Sequence, residues 1–348
     1  ETRPRPVAGV DPLALSPVDV VALTRALVDI ESTTGQEGEA GRYLSSYLRG
    51  RGFAVLEQPV DKTRFNIIAS YVDTPEIVLS THFDCVPPFF PSRLEGSRIY
   101  GRGACDAKGI LAAQVAAADR LRREGERRVG LLFVVGEERS ADGARRANGV
   151  ADGSRYLING EPTDNRLGTA TRGVLRVTVK AAGRAAHSAY PELGESAIDR
   201  LIDALLHLRT LALPEDPVLG QTHYTVGTIR GGVASNVVSP SAEAEVMFRT
   251  VSAPADMRAA IKSLEDYVTV EYLHEVAPVH LVTVPGFEQA VFPYTTDVPF
   301  LHAWGQPLLY GPGSIHVAHT DTEFIDVPEL EAAIDGYVRL ARSLLTSR

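Results

Sequence analysis

Apolar residues recur every three to four positions over residues 17–30 and again over 37–50, the spacing of helices that bury one face; the second closes at Gly50 and Gly52. Beyond them strand-length apolar runs alternate with a helical one. Residues 66–72 and 77–80 predict strands, the Ala-rich 109–124 a helix, and 129–135 and 156–159 strands. Such alternation predicts an α/β domain, a mixed, mostly parallel sheet with helices on both faces. From about residue 172 the texture changes. Residues 174–180 alternate apolar and polar, 196–211 form a long amphipathic pattern, 224–230 and 242–250 are strand-like, and 254–267 predict a helix opened by Pro254. The order strand–helix–strand–strand–helix–strand fits a ferredoxin-like α+β unit. Past Pro285 the pattern returns to loops, a short strand at 307–310 and a closing helix at 328–345. The expected organisation is one α/β domain in two parts, residues 1–171 and 286–348, interrupted by an inserted unit, residues 172–285.

The chain's 348 residues also exceed one core of about 100–200 residues. With 44% hydrophobic and 23% charged residues it is globular in composition. No apolar run approaches the roughly 18 residues that span a bilayer, so no membrane partner is expected. Lys and Arg number 35 against 44 Asp and Glu, a net charge of −9, which argues against a nucleic-acid partner and for a small molecule. Cys85 and Cys105 cannot build a disulfide framework and read as reduced packing residues. Glu1-Thr-Arg-Pro-Arg-Pro lacks the layout of a signal peptide, so a cytoplasmic location is expected.

Chemistry gathers where the predicted strands end. Residues 77–80 run into Thr81-His82-Phe83-Asp84, 129–135 into Gly136-Glu137-Glu138, and 156–159 into Gly160-Glu161, while Gly101-Arg-Gly-Ala-Cys-Asp106 leads into the Ala-rich helix. Ligands of open α/β sheets bind beyond the carboxyl ends of the strands. One of these acids alone reads as a solvated loop carboxylate or a cap, and His82 alone as a hydrogen-bonded loop histidine. Together they crowd like charges that only protons or cations can compensate. A mixed His/carboxylate set suits zinc or its first-row neighbours, and there are enough ligands for two cations about 3.5–4 Å apart, an arrangement that serves hydrolysis. No G-x-S-x-G elbow or G-x-x-x-x-G-K-[ST] loop is present, and Gly101-x-Gly103-x-x-Asp106 lacks the third glycine of a dinucleotide fingerprint.

Ser80-Thr-His82-Phe-Asp84, Tyr100-Gly-Arg-Gly-Ala-Cys-Asp106-Ala-Lys-Gly109, Gly136-Glu137-Glu138, Asn159-Gly-Glu161-Pro162 and Gly311-Pro-Gly-Ser-Ile-His-Val-Ala-His319 resemble, in order, the motifs of the co-catalytic zinc family of acetylornithine deacetylase, succinyl-diaminopimelate desuccinylase, aminoacylase and glutamate carboxypeptidase. The resemblance implies two divalent ions, zinc with cobalt or manganese as alternatives. His82 and Glu161 would hold one, Glu138 and His319 the other, and Asp106 would bridge them. It makes Glu137 the general base and has Asp84 orient His82. A cis peptide after Asp106 is a further family expectation. The inserted unit matches the family's lid, which mediates a homodimer. Its His187 would stabilise the oxyanion of the partner subunit's site, and Asn236 and Arg249 would contact substrate, with backbone amides around Gly311 and Gly313 helping to grip a carboxylate. The implied reaction is hydrolysis of an amide beside a free carboxylate in an N-acyl amino acid or short peptide. A deacylase of the acetylornithine or acetyl-lysine type comes first and a carboxypeptidase or dipeptidase second; a silent binding protein on the same fold is the alternative of another class.

Overall fold

A computed structural model describes residues 15–151 and 153–346; the N-terminal residues read above for a leader lie outside them. The chain divides into two compact units. One comprises the described residues up to Thr169 together with 281–290 and 296 onward, the other residues 170–280 and 291–295. Residues 281–285, expected with the insertion, go with the first unit because Val284 is buried in its core and the Val282 amide donates to Pro307 O.

The first unit is built on a six-stranded sheet in the order Ala54–Pro59, Phe65–Ser70, Val129–Val134, Ile77–His82, Tyr156–Asn159 and Gln306–Leu309. The first two pairings are antiparallel and the remaining three parallel, a mixed, mostly parallel sheet. Alternate residues bury toward opposite faces, as period-two side chains must. Ile67, Leu79 and Leu131 join one core with the helices Val20–Val28, Gly38–Gly50, Lys108–Arg123 and Val327–Thr346. Their neighbours Ile68, Val78 and Leu132 join another with Ala144, Ala147 and Trp304. Burying each such Leu or Ile stabilises by about 1.5–3 kcal/mol, enough to hold every strand at the register its pattern dictates. Asp19, accepting from the Ala22 amide at 2.9 Å, starts the first helix. Lys108–Arg123 is buried on nearly every side, which its alanines permit.

The parallel strands end level: His82 pairs with Val134, Ser80 with Asn159, and Asn159 with Leu309. From Ile77–His82 the chain goes first to the neighbour on one side, Val129–Val134, and then to the neighbour on the other, Tyr156–Asn159. That reversal opens a crevice at the carboxyl end of Ile77–His82. Among the described residues no helix is long and apolar enough to cross a membrane.

The second unit is an antiparallel sheet in the order His223–Gly231, Ser241–Thr250, Gly173–Ala182, Thr269–Val276, with the helices Ala197–Leu208 and Pro254–Ile261. In chain order this is the ferredoxin-like strand–helix–strand–strand–helix–strand. Ser196 caps the longer helix, accepting from the Asp199 amide at 3.2 Å. The second helix stops at Ile261 and tightens into a 3₁₀ turn, Lys262–Asp266, short of its expected end.

Candidate active site

Each parallel strand hands its chain to a loop that carries a titratable side chain. His82, the last residue of its strand, is 1% exposed. Its Nδ1 donates to the Asp84 carbonyl oxygen at 3.0 Å, with an Asp84 carboxylate oxygen farther off at 3.4 Å. An acceptor-only carbonyl fixes the proton on Nδ1 and leaves Nε2 to face Asp106 Oδ1 at 3.0 Å. The Asp84 carboxylate is occupied mainly elsewhere. Its oxygens accept the amides of Glu137 at 3.1 Å and Glu138 at 3.2 Å and the Thr34 hydroxyl at 2.8 Å. Burial alone would raise this carboxyl; His82, Thr34 and the Glu138 amide hold it below the usual range.

Gly136 makes the turn that presents the two glutamates. It sits at φ +78°, and a Cβ there would fall 1.9 Å from Asp142 Oδ1, so glycine alone fits. Arg64 in turn binds that carboxylate through Nη2 at 2.6 Å and Glu37 through Nη1 at 3.3 Å. The segment has thus left strand geometry, and adjacent glutamates face different surroundings. Glu138 Oε1 lies 2.9 Å from His319 Nε2, whereas the Glu137 side chain makes no hydrogen bond among the described residues. Burial, then the charge of Glu161, raises the Glu137 carboxyl well above its usual value.

Asp106 is the centre of the group. Its Oδ1 faces His82 Nε2, and its Oδ2 lies 3.3 Å from His319 Nε2. The peptide from Asp106 to Ala107 is cis. Burial would raise the Asp106 carboxyl, but the two imidazoles hold it well below the usual carboxylate range. Burial would likewise depress His82, yet its bonds to Asp106 and Asp84 win and raise it. Hydrogen bonds to Asp106 and Glu138 push His319 up to about 10. Glu161 is buried, its Oε1 has no hydrogen-bond partner among the described residues, and burial raises its carboxyl well above normal.

These observations fit a cation site. His82, Asp106 and Glu138 each offer a ligand atom within 4.8 Å of the others, and the buried Glu161 oxygen, without a hydrogen-bond partner among the described residues, is an acceptor that a cation would satisfy.

Gly311 and Gly313 are glycines for packing reasons. A Cβ on Gly311 would sit 2.4 Å from Glu161 O, and one on Gly313 2.6 Å from Cys105 Sγ. The Gly311 amide, expected to help grip substrate, donates to Thr163 Oγ1 at 2.9 Å.

In the second unit His187 and Asn236 come together. His187 bridges to Val237, and the Ser188 amide donates to Asn236 O at 3.0 Å. Nδ1 of the exposed His187 accepts the Ala189 amide at 3.1 Å, so a neutral ring carries its proton on Nε2, directed outward as a donor. Arg249 is not with them. It lies eight residues along the strand from Ser241, about 26 Å at the usual strand rise, opposite Val174 and His223.

Three groups escaped the sequence reading. Asp297 is buried, its Oδ1 has no hydrogen-bond partner among the described residues, and burial pushes it up to about 7. Thr34 holds Asp84, and Glu323 accepts amides of the loop that bears Asp106. None has a periodic or motif signal; each is a lone polar residue on a loop.

Residues 78–343 match the family model for peptidase family M20/M25/M40. A probable carboxypeptidase of Aspergillus clavatus is 38% identical over 373 aligned positions, which cover 94% of this chain and 82% of that protein. Among solved structures, the aminopeptidase PepT of Bacillus cereus has a TM-score of 0.79 at 19% identity, over 94% of this chain and 98% of that one. A dinuclear metal-binding peptidase of the M20 family from Bacillus subtilis scores 0.72 at 17% identity, over 94% and 98%. The two structural likenesses are of fold. The family match spans most of the chain and the sequence likeness nearly all of it: the chain belongs to peptidase family M20/M25/M40 and is a hydrolase of the metallopeptidase class.

Proposed function

We propose that the protein is a two-metal carboxypeptidase that hydrolyses the amide bond beside the free carboxylate of a short peptide. The single observation that carries the reading is Asp106, one carboxylate turning separate oxygens to the imidazoles of His82 and His319. His82 with Glu161 would hold one divalent ion, Glu138 with His319 the other, and Asp106 both; zinc suits the donors, with cobalt or manganese as alternatives. Such ions, when bound, polarise the scissile carbonyl and lower the pKa of the attacking water. Glu137, unligated beside Glu138, takes that water's proton and delivers it to the leaving amine, and the raised affinity of its carboxyl for a proton suits a base that must later act as an acid. Asp84 keeps the Glu137–Glu138 turn in place through their amides.

His187 supplies an Nε2–H donor for the developing oxyanion, Asn236 beside it a substrate contact, and Arg249 a planar fork for the carboxylate. The distance within the lid between Arg249 and the His187–Asn236 pair supports a homodimer in which each site draws on both chains. An edge strand without a further pairing partner among the described residues, and an outward apolar face, support the same reading. His223–Gly231 is the sheet's edge, and Ile198, Ile202 and Leu206 are exposed at four-residue steps on the neighbouring helix.

The carboxypeptidase reading takes first place from the likeness, at 38% identity, to the probable carboxypeptidase of Aspergillus clavatus. An N-acyl-amino-acid deacylase is the second reading, favoured by the Gly311-Pro-Gly-Ser…Ala318-His319 ending. Purified protein is assayed on dipeptides, longer peptides, and N-acetyl amino acids, with and without chelator. Peptide cleavage from the carboxyl end, lost on chelation and restored by zinc, is expected. Glu137→Gln retains its metal and loses about 10²–10⁴-fold in turnover. Preference for N-acetyl amino acids transfers the assignment to the deacylase, and near-normal turnover of Glu137→Gln removes the base.

A further inference from the structure

We propose that Glu323 is the positioning residue of the metal centre: its carboxylate is the anion about which the 101–106 loop folds, and it thereby sets where Asp106 stands between His82 and His319. The inference rests on the two-metal reading above. Glu323 Oε1 accepts three amides of the loop, those of Gly103, Cys105 and Asp106, each at 3.0 Å. Its Oε2 accepts Arg102 Nη1 at 2.7 Å, and the whole side chain is buried. The backbone closes the same contact: Gly101 N donates to Glu323 O at 3.1 Å. Arg102 is held from the other side, its Nε donating to Pro88 O at 3.2 Å.

Amides converging on one oxygen form a concavity that an anion fills best, and charged acceptors make the shorter, stronger hydrogen bonds. Removing a carboxylate from water is costly, and it persists here because four donors replace the water. Two features tie this to the metal centre rather than to the fold alone. The last of the three amides belongs to Asp106 itself, so Glu323 fixes the backbone of the residue whose oxygens face both imidazoles. Glu323 also lies four residues after His319 and immediately before the strand Phe324–Asp326, which pairs with Arg98–Tyr100 at the root of the loop. One short segment therefore carries the His319 ligand and the anchor of Asp106, and the distance between them is set by that segment. The loop can wrap so closely because Gly103, at φ +86°, has no Cβ to meet Cys85 Sγ 2.5 Å away.

The test titrates zinc into chelator-treated wild type, Glu323→Gln and the double variant Glu323→Gln/Arg102→Met by calorimetry, with circular dichroism to establish folding and kcat and KM measured separately. The double variant removes the guanidinium that would otherwise face an amide NH₂ and lie buried without a counter-charge. Wild type binds two ions. The folded variants bind zinc about 10–100-fold more weakly, kcat falls by a similar factor at limiting zinc and recovers in excess zinc, and KM stays within about threefold. Wild-type zinc affinity and kcat in either folded variant overturn the inference, and so does failure of both to fold, which assigns Glu323 to the fold. A wild type that binds no zinc fails the two-metal reading instead, so the two failures are distinguishable.

Discussion

The two imidazoles of the site stand in opposite surroundings. His82 ends a central strand, is 1% exposed, and has Nδ1 committed to the carbonyl of its own loop. The His319 side chain is 48% exposed, its backbone is left-handed at φ +63°, and its Nδ1 has no partner among the described residues. One half of the site is pre-organised by the sheet; the other hangs on a loop and meets solvent. A ligand whose rotamer and tautomer are fixed beforehand loses little freedom on binding, so under the two-metal proposal the ion that His82 and Glu161 would hold is expected to be the tighter and the one that Glu138 and His319 would hold the exchangeable one.

The largest difference is expected between His82→Ala and His319→Ala. The first takes from buried Asp106 its nearer imidazole and from buried Glu161 the nearby positive charge, which is expected to cost about 3–5 kcal/mol of stability in the metal-free protein and to abolish tight binding of both proposed ions. The second leaves stability within about 1 kcal/mol and retains one ion per chain, although turnover drops by two orders of magnitude or more. Denaturant melts and metal analysis read both, and equal losses in the two variants would break the comparison.

Proton release is a smaller effect. His319 at about 10 is an imidazolium at pH 8 and must lose its proton to ligate, as must the raised His82. Zinc binding at pH 8 therefore expels protons, read from the dependence of the calorimetric heat on buffer ionisation. If His319 ligates the weaker of the two proposed ions, its proton is expected in the second phase of the titration.

Asp297 gives the smallest effect and belongs to the buried half, where its charge acts on Glu137, Glu161 and His82. Its folded value, about 7, lies above an unfolded value of roughly 3.9. The folded state therefore favours the protonated acid, and stability is lost as pH rises from about 4 through 7. Asp297→Asn should melt a few degrees above wild type at pH 8.5 and close to it at pH 4.5, both metal-free. An equal shift at both values would dissociate Asp297 from the charge balance of the site.

The sequence made legible what periodicity and strand ends encode. The parallel strands, the ferredoxin-like insertion and five acids with one histidine at a single sheet edge follow from runs such as residues 129–134 ending in Gly136-Glu137-Glu138. What was illegible depends on pairing across the chain. The strand Ala54–Pro59 is an antiparallel edge whose mixed residues and terminal proline carry no clean alternation, and the helix Asp142–Asn148 is only seven residues long, following Ala141 at φ +51°. Glu323 lies 217 residues from Asp106, and no local pattern announces that separation. Gly311 read as a substrate contact because its motif supplies no view of Thr163, which takes its amide.

The central claim is that Asp106 joins two ion sites, and equilibrium dialysis against zinc of wild type and Asp106→Asn tests it most directly. Two ions per wild-type chain, with both weakened at least tenfold in the folded Asp106→Asn variant, is the predicted result. Two tightly bound ions in that variant, or loss of only one, would contradict it.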